Sequence, residues 1–191
     1  RQAWQTKTRV AIGAGSARED HLTFNRTLRM KDGSDYTIRG HNPFPPDPEI
    51  EGLRPVDPEI GVVRIDRLDG RPLAVIYNFG SHLLLGSPTS NITADFPGIV
   101  ARHLKKNLGS ALTVFVTQGA GGDVAEVAKS DWDQRTNSQT FGTALGQRVL
   151  DTYRNISTDT APESINTASV TVNFPLRTDI PQVLAELKRE Q

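Results

Sequence analysis

Apolar residues fall along the chain in two rhythms. Val62-Val63-Arg64-Ile65 and Leu73-Ala74-Val75-Ile76-Tyr77-Asn78-Phe79 flank Leu68-Asp69-Gly70-Arg71, and an Asp-Gly pair between two such runs predicts a β-hairpin. After Asp95-Phe96-Pro97 the period changes. Ile99, Val100, His103, Leu104 and Leu108 recur at helical spacing, which predicts an amphipathic helix of about three turns closing at Asn107 to Gly109. Ala111 to Thr117 is apolar and β-branched, the pattern of a strand buried on both faces. Strand, helix and strand in that order imply a right-handed parallel crossover. Phe141, Leu145, Val149 and Tyr153 define a second helix, with Gly142 and Gly146 permitting close approach on an adjoining face.

The flanks are simpler. Thr8 to Gly15 reads as a short strand ending in glycines, and the alternation of Ala168, Val170, Val172 and Phe174 predicts a half-exposed strand. Ile180-Pro181 followed by Val183, Leu184 and Leu187 reads as a helix opened by proline. Between Lys31 and Pro58 the prolines at 43, 45, 46, 48, 55 and 58 argue for a long loop without a regular ladder. The fold class expected is α/β: a mixed sheet with a β-hairpin and at least one parallel βαβ crossover.

Composition narrows the function. The 191 residues are expected to form one domain, 1–191, and because position 1 is Arg and no signal peptide is legible, an internal fragment of a longer catalytic domain. Lys and Arg total 22 and Asp and Glu total 22, a balance that argues against a nucleic-acid partner or a polybasic membrane surface. The absence of Cys removes disulfides, thiolate zinc sites and cysteine nucleophiles. No apolar run approaches the roughly 20 residues of a membrane span, so no transmembrane segment is expected.

Parallel strands at 73–79 and 111–117 would end on the same edge of the sheet, where open α/β sheets bind ligands. One ends in Asn78-Phe79-Gly80-Ser81-His82, the other in Gln118-Gly119-Ala120-Gly121-Gly122-Asp123, so His82 and Asp123 are expected at one crevice. His82 suits a zinc ligand or a general base, or is packed under a loop with its nitrogens satisfied. Gly119 to Gly122 could cradle an anion or form a tight turn between close backbones. Asp123 reads as a ligand, an orienting carboxylate or the N-cap of a helix over Val124 to Lys129, and Asp95 is open in the same way. His103 is expected at a helix surface or boundary, and His21 and His41 lie in loops. Neither a Gly-x-Ser-x-Gly elbow nor a His-Glu-x-x-His motif occurs. Three sequons, at Asn25, Asn91 and Asn155, stand against about one or two expected by chance and do not establish secretion.

The succession Phe24-Asn25-Arg26, Val56-Asp57-Pro58-Glu59-Ile60-Gly61-Val62, Asn78-Phe79-Gly80-Ser81-His82, Asn91-Ile92-Thr93-Ala94-Asp95-Phe96-Pro97-Gly98 and Gln118-Gly119-Ala120-Gly121-Gly122-Asp123-Val124 resembles the catalytic domain of the neutral/alkaline, non-lysosomal ceramidases and their bacterial relatives. The resemblance covers roughly residues 8 to 155. It implies a Zn²⁺-dependent amidase acting on the N-acyl bond of a lipid or other small molecule, with His82 as metal ligand, Arg26 and Asp123 as catalytic residues, and Gly119, Gly121 and Gly122 against the substrate. It also implies an extracellular or periplasmic location. Zinc would activate a water and polarise the amide, and Arg26 would face the developing oxyanion. The chain departs from the family at Ala125, where a Ser is normal, and lacks the family's His-x-His-x-Gly-Pro segment; its Glu and Tyr ligands are expected beyond residue 191. An inactive secreted binding or scaffold module of the same fold is the alternative, and a nucleotide- or phosphate-binding domain ranks below it.

Overall fold

The computed structural model describes residues 2–38, 45–85, 92–126, 137–160, 167–175, 178, 180–181 and 188–189. The chain divides into two compact units, Arg1–Ala161 and Pro162–Gln191. In chain order the first unit runs through α1 (Gln2–Gln5), β1 (Val10–Arg18), β2 (Phe24–Asn25), β3 (Thr27–Met30), β4 (Asp35–Thr37), a 3-10 turn (Asp47–Glu49), β5 (Ile50–Leu53), β6 (Glu59–Arg67), β7 (Pro72–Phe79), α2 (Asp95–Leu108), β8 (Thr113–Gln118), β9 (Val124–Ala125) and α3 (Ser138–Asn155). The main sheet has the order β1-β6-β7-β8, with β7 and β8 parallel and the other pairs antiparallel. It is the mixed α/β sheet that the sequence pattern predicts.

The β6–β7 hairpin closes where Asp69-Gly70 places it. Gly70 adopts φ +82°, a conformation that disfavours side chains, and its N–H donates to the Arg67 carbonyl at 2.9 Å. α2 spans 14 residues, close to four turns; Gly109, at φ +114°, ends it by donating to the Lys105 carbonyl at 3.0 Å. The Asn137 side chain caps α3, accepting the Thr140 N–H at 2.9 Å. α2 and α3 cross closely at the predicted glycines. A Cβ on Gly142 would lie 2.5 Å from the Ile99 Cβ and 2.9 Å from the Phe96 carbonyl oxygen. His103 is half-buried at this crossing, its Nε2 lying 3.1 Å from the Gln147 Oε1.

The core lies between one face of the main sheet and the two helices. Ile60, Val62, Val75, Tyr77 and Phe79 meet Phe96, Val100, Leu104, Phe141, Leu145 and Val149, and each such side chain removed from water contributes about 1.5–3 kcal/mol. One polar assembly crosses this core. Asp66, 1% exposed, accepts the Tyr153 hydroxyl at 2.8 Å and the Arg64 Nε at 2.7 Å. The Arg64 guanidinium also donates to the Ile156 carbonyl at 3.1 Å and lies 4.5 Å from the centre of the Tyr153 ring, so it ties the end of α3 to the sheet.

Several expectations are corrected. The first strand does not stop at its glycines: β1 continues to Arg18, with Gly13 and Gly15 inside it because Ile156 and Ser157 pack where their side chains would be. The 31–58 segment is not free of ladders, since β4 and β5 flank β3 in a three-stranded sheet. Pro45, Pro46, Pro48, Pro55 and Pro58 stand outside the strands, so each of Ile50-Glu51-Gly52-Leu53 keeps its backbone N–H, and Pro43 lies outside the described residues. The strand read as buried on both faces is largely exposed, with Phe115 54% accessible; both helices pack on the opposite face, and among the described residues no strand lies beyond β8. Val124 begins no helix but pairs with Asn25 in the β2–β9 ladder. In the second unit, residues 167–175 form no strand and are exposed, because no partner strand lies alongside them among the described residues. Most of the helix expected after Ile180-Pro181 falls outside the described residues, as do His41 and Asn91.

Candidate functional site

β7 and β8 run in register to Phe79 and Gln118, and their carboxyl ends form one rim. The backbones beyond approach so closely that glycine is required. A Cβ on Gly119 would sit 2.9 Å from the Gly80 nitrogen, and one on Gly121 would sit 3.1 Å from the Ser81 nitrogen. The Gly119 N–H donates to the Phe79 carbonyl at 3.1 Å, and the Gln118 side-chain amide donates to the Ser81 carbonyl at 2.7 Å. Ser81 is fully buried and donates to the His82 carbonyl at 3.3 Å; His82, next along, is half-buried.

The glycine turn closes with the Val124 N–H on the Gly121 carbonyl at 3.2 Å and hands the chain to β9. There it meets Asn25 and Arg26. The Asn25 amide donates to the Asp123 carboxylate at 2.8 Å and to the Pro55 carbonyl at 2.9 Å. Arg26 donates its backbone N–H to the Asp123 carbonyl at 2.8 Å and its Nη2 to the Gly122 carbonyl at 2.9 Å. Its Nε is buried without a hydrogen-bond partner among the described residues. Asp123 thus braces β2 and caps no helix. Asn25 is 3% exposed with its nitrogen committed, so its sequon is not open to glycosylation in this fold.

Two carboxylates join the rim that the sequence pattern did not single out for this place or left open. Glu126, 6% exposed, accepts the Leu84 N–H at 3.1 Å. Burial pushes its carboxyl above the usual range; the His82 imidazole acts in the opposite sense, and Asp95 pushes it further up. Asp95, also 6% exposed, opens α2 at φ +47°, its backbone in the left-handed region and its carboxylate accepting the Phe96 N–H at 2.6 Å. Ala125 faces the other way, against the apolar cluster of Phe24, Leu28, Met30 and Ile38. A hydroxyl at position 125 on this backbone would meet that cluster.

His82, Arg26, Asp123 and the three glycines therefore share one rim. Catalytic zinc usually takes three protein ligands. Around His82 no three His, Asp or Glu side chains among the described residues bring donor atoms within 4.8 Å of one another. Glu19, Asp20 and His21, just beyond β1, do meet that spacing. Both Glu19 oxygens are already engaged, one with the His21 N–H at 2.9 Å and the other with the Arg148 Nε at 2.9 Å.

Two solved structures share this fold. One is a ceramidase complexed with C2, with a TM-score of 0.54 and 17% identity over 77% of this chain and 22% of that one. The other is the neutral ceramidase from Pseudomonas aeruginosa, with a TM-score of 0.52 and 18% identity over 77% of this chain and 22% of that one. The fold is ceramidase-like, and the chain spans about a fifth of the length of these two proteins. No family model and no curated protein matches the sequence.

Proposed function

We propose that the chain forms one wall of the active site of a ceramidase-like hydrolase that cleaves the N-acyl bond of a lipid amide outside the cytoplasm. What supports this is the 119–122 glycine turn, packed on Gly80 and Ser81 beside His82 and bonded to Arg26 through the Gly122 carbonyl, at the carboxyl ends of β7 and β8 on a ceramidase-like fold. At His82 the described residues do not hold zinc by themselves, because His82 brings one nitrogen and no complete ligand set surrounds it. His82 would be one member of a larger zinc-ligand set, and zinc held there would supply an activated water. Within this chain the residues position and polarise. Arg26, anchored on the Gly122 carbonyl, puts a permanent positive charge at the rim where an amide oxyanion would develop. Asp123 holds that loop against Asn25, Gly119 and Gly121 let the turn pack on the Gly80–Ser81 backbone, and Gly122, with open space where a Cβ would be, leaves backbone free to face a substrate.

The test is release of fatty acid from a fluorescent short-chain N-acyl sphingosine, with zinc measured on the same protein. His82→Ala is expected to lower turnover and zinc content together, and a variant with full turnover refutes the role of His82. A second reading, an inactive binding or scaffold module, draws support from Ala125 and the incomplete ligand set. Stoichiometric zinc with turnover rules it out.

A further inference from the structure

We propose that the rim docks on a neutral lipid surface through Leu83, Leu84 and Ile92, which lie between β7 and α2. The inference rests on the hydrolase reading for which lipid is taken up, and on exposure and sequence for the docking itself. Large apolar side chains exposed together in one segment, and not singly, mark an interaction surface. Leu83 is 51% exposed, Leu84 is 55% exposed and Ile92 is fully exposed. Residues 80–94 carry no Lys, Arg, Asp or Glu, where the chain's 23% charged content would place about three. The crossover sets both ends of this stretch at the carboxyl edge of the sheet. It leaves β7 at Phe79, and α2 opens beside that point, since the Phe96 and Phe79 rings both pack on Phe141, at 4.7 and 6.4 Å between centroids.

The leucines are held outward by the backbone that carries them. The Ser81 carbonyl accepts the Gln118 side-chain amide at 2.7 Å, and the Leu84 N–H donates to the buried Glu126 carboxylate at 3.1 Å. Leu85, the next residue, packs against the core instead. Leu68 makes the contrast. It is 56% exposed, yet it stands at the β6–β7 hairpin on the opposite edge of the sheet, between Arg67 and Asp69, so charges would have to shed water before it entered lipid. Residues 80–94 carry no such cost. Aliphatic side chains without charge suit a fluid apolar phase, which demands no matching pattern of hydrogen bonds. With no Lys or Arg among these residues, docking does not call for anionic headgroups. The leucines directly follow His82, so a lipid amide held at such a surface lies next to the residue proposed to act on it.

The experiment mixes the 191-residue chain with vesicles of phosphatidylcholine alone and separates bound from free protein by flotation. Binding is expected, with a partition coefficient that changes little between about 0.05 and 0.5 M salt, because no charge pair is screened. Leu83→Asp, Leu84→Asp and Ile92→Asp are each expected to lower it about tenfold, while Leu68→Asp leaves it at the native value. All four side chains are exposed, so urea midpoints should stay near native; Leu83→Ser and Leu84→Ser decide the matter if an aspartate variant does not fold. No binding to phosphatidylcholine, binding only when anionic lipid is added, or an equal loss in Leu68→Asp overturns the proposal. So does sedimentation in which the native chain pairs with itself and Leu83→Asp is a monomer, since a second copy would then cover the leucines. Two assays separate this from the hydrolase reading. Vesicle binding without release of fatty acid from an N-acyl sphingosine keeps the docking and refutes the hydrolase reading, whereas cleavage of a soluble short-chain substrate without vesicle binding refutes the docking alone.

Discussion

Tyr153→Phe isolates one contact in the core. The substitution removes the hydroxyl that donates to Asp66 at 2.8 Å and leaves the ring, with its 4.5 Å stack on Arg64, in place. Asp66 is 1% exposed, so water cannot replace the lost donor. A buried hydrogen bond to a charged group contributes about 1.5–3 kcal/mol. For a unit of this size 1 kcal/mol moves the melting temperature by about 2–4 °C, so Tm should fall by roughly 3–12 °C. Urea unfolding followed by far-ultraviolet circular dichroism gives the free energy directly, with an unchanged m-value showing that the unfolding reaction is the same. In an Asp66→Asn background the cost of Tyr153→Phe should shrink to that of a neutral bond, about 0.5–1.5 kcal/mol. A loss under about 0.5 kcal/mol in the native background would mean that the hydroxyl is solvated or paired elsewhere, and would refute the account of how α3 is tied to the sheet.

Alkaline stability follows from the same residue. Burial, then the Asp66 bond, push the Tyr153 phenol up to about 12, and burial raises Tyr77 in the same direction. The unfolded chain loses these protons near pH 10 while the folded chain keeps them, so stability should be level up to about pH 10 and decline as the pH rises towards 12. Urea midpoints at pH 9, 10 and 11 check this, and a midpoint that rises over that range contradicts it. At the rim, Gly119→Ala sets a methyl 2.9 Å from the Gly80 nitrogen and 3.1 Å from the Phe79 carbonyl carbon. Backbone cannot rotate away as a side chain does, so a loss of about 1–3 kcal/mol is expected, and a neutral outcome in urea would show that β7 and β8 diverge beyond Phe79.

What could be read in the sequence was local. Asp69-Gly70 fixes its hairpin because few other residues take that turn, and the four-residue spacing from Phe141 to Tyr153 fixes α3 because one face must be apolar throughout. The parallel run of β7 and β8 follows from the helix between them, and with it the shared rim of His82 and Asp123. The exposure of Phe115 was not legible, since burial depends on what lies beside a strand and not on its own residues. β5 was hidden because four residues among prolines carry too little alternation to register. Glu126 gives no sign in the sequence: many carboxylates are available, and only the tertiary fold determines that this one is buried against the Leu84 amide.

The β2–β9 ladder has a kinetic consequence. The bonds from Asn25 and Arg26 to Asp123 and Gly122 join residues 98 and 96 positions apart, through a ladder of only two residues on each side. So short a clasp cannot offset the entropy of closing so long a loop until the sheet between its ends has formed. The hairpin and helices should therefore assemble first and the β2–β9 clasp last, and a chain whose sheet and two helices are already packed would still have its 24–26 and 122–125 segments apart.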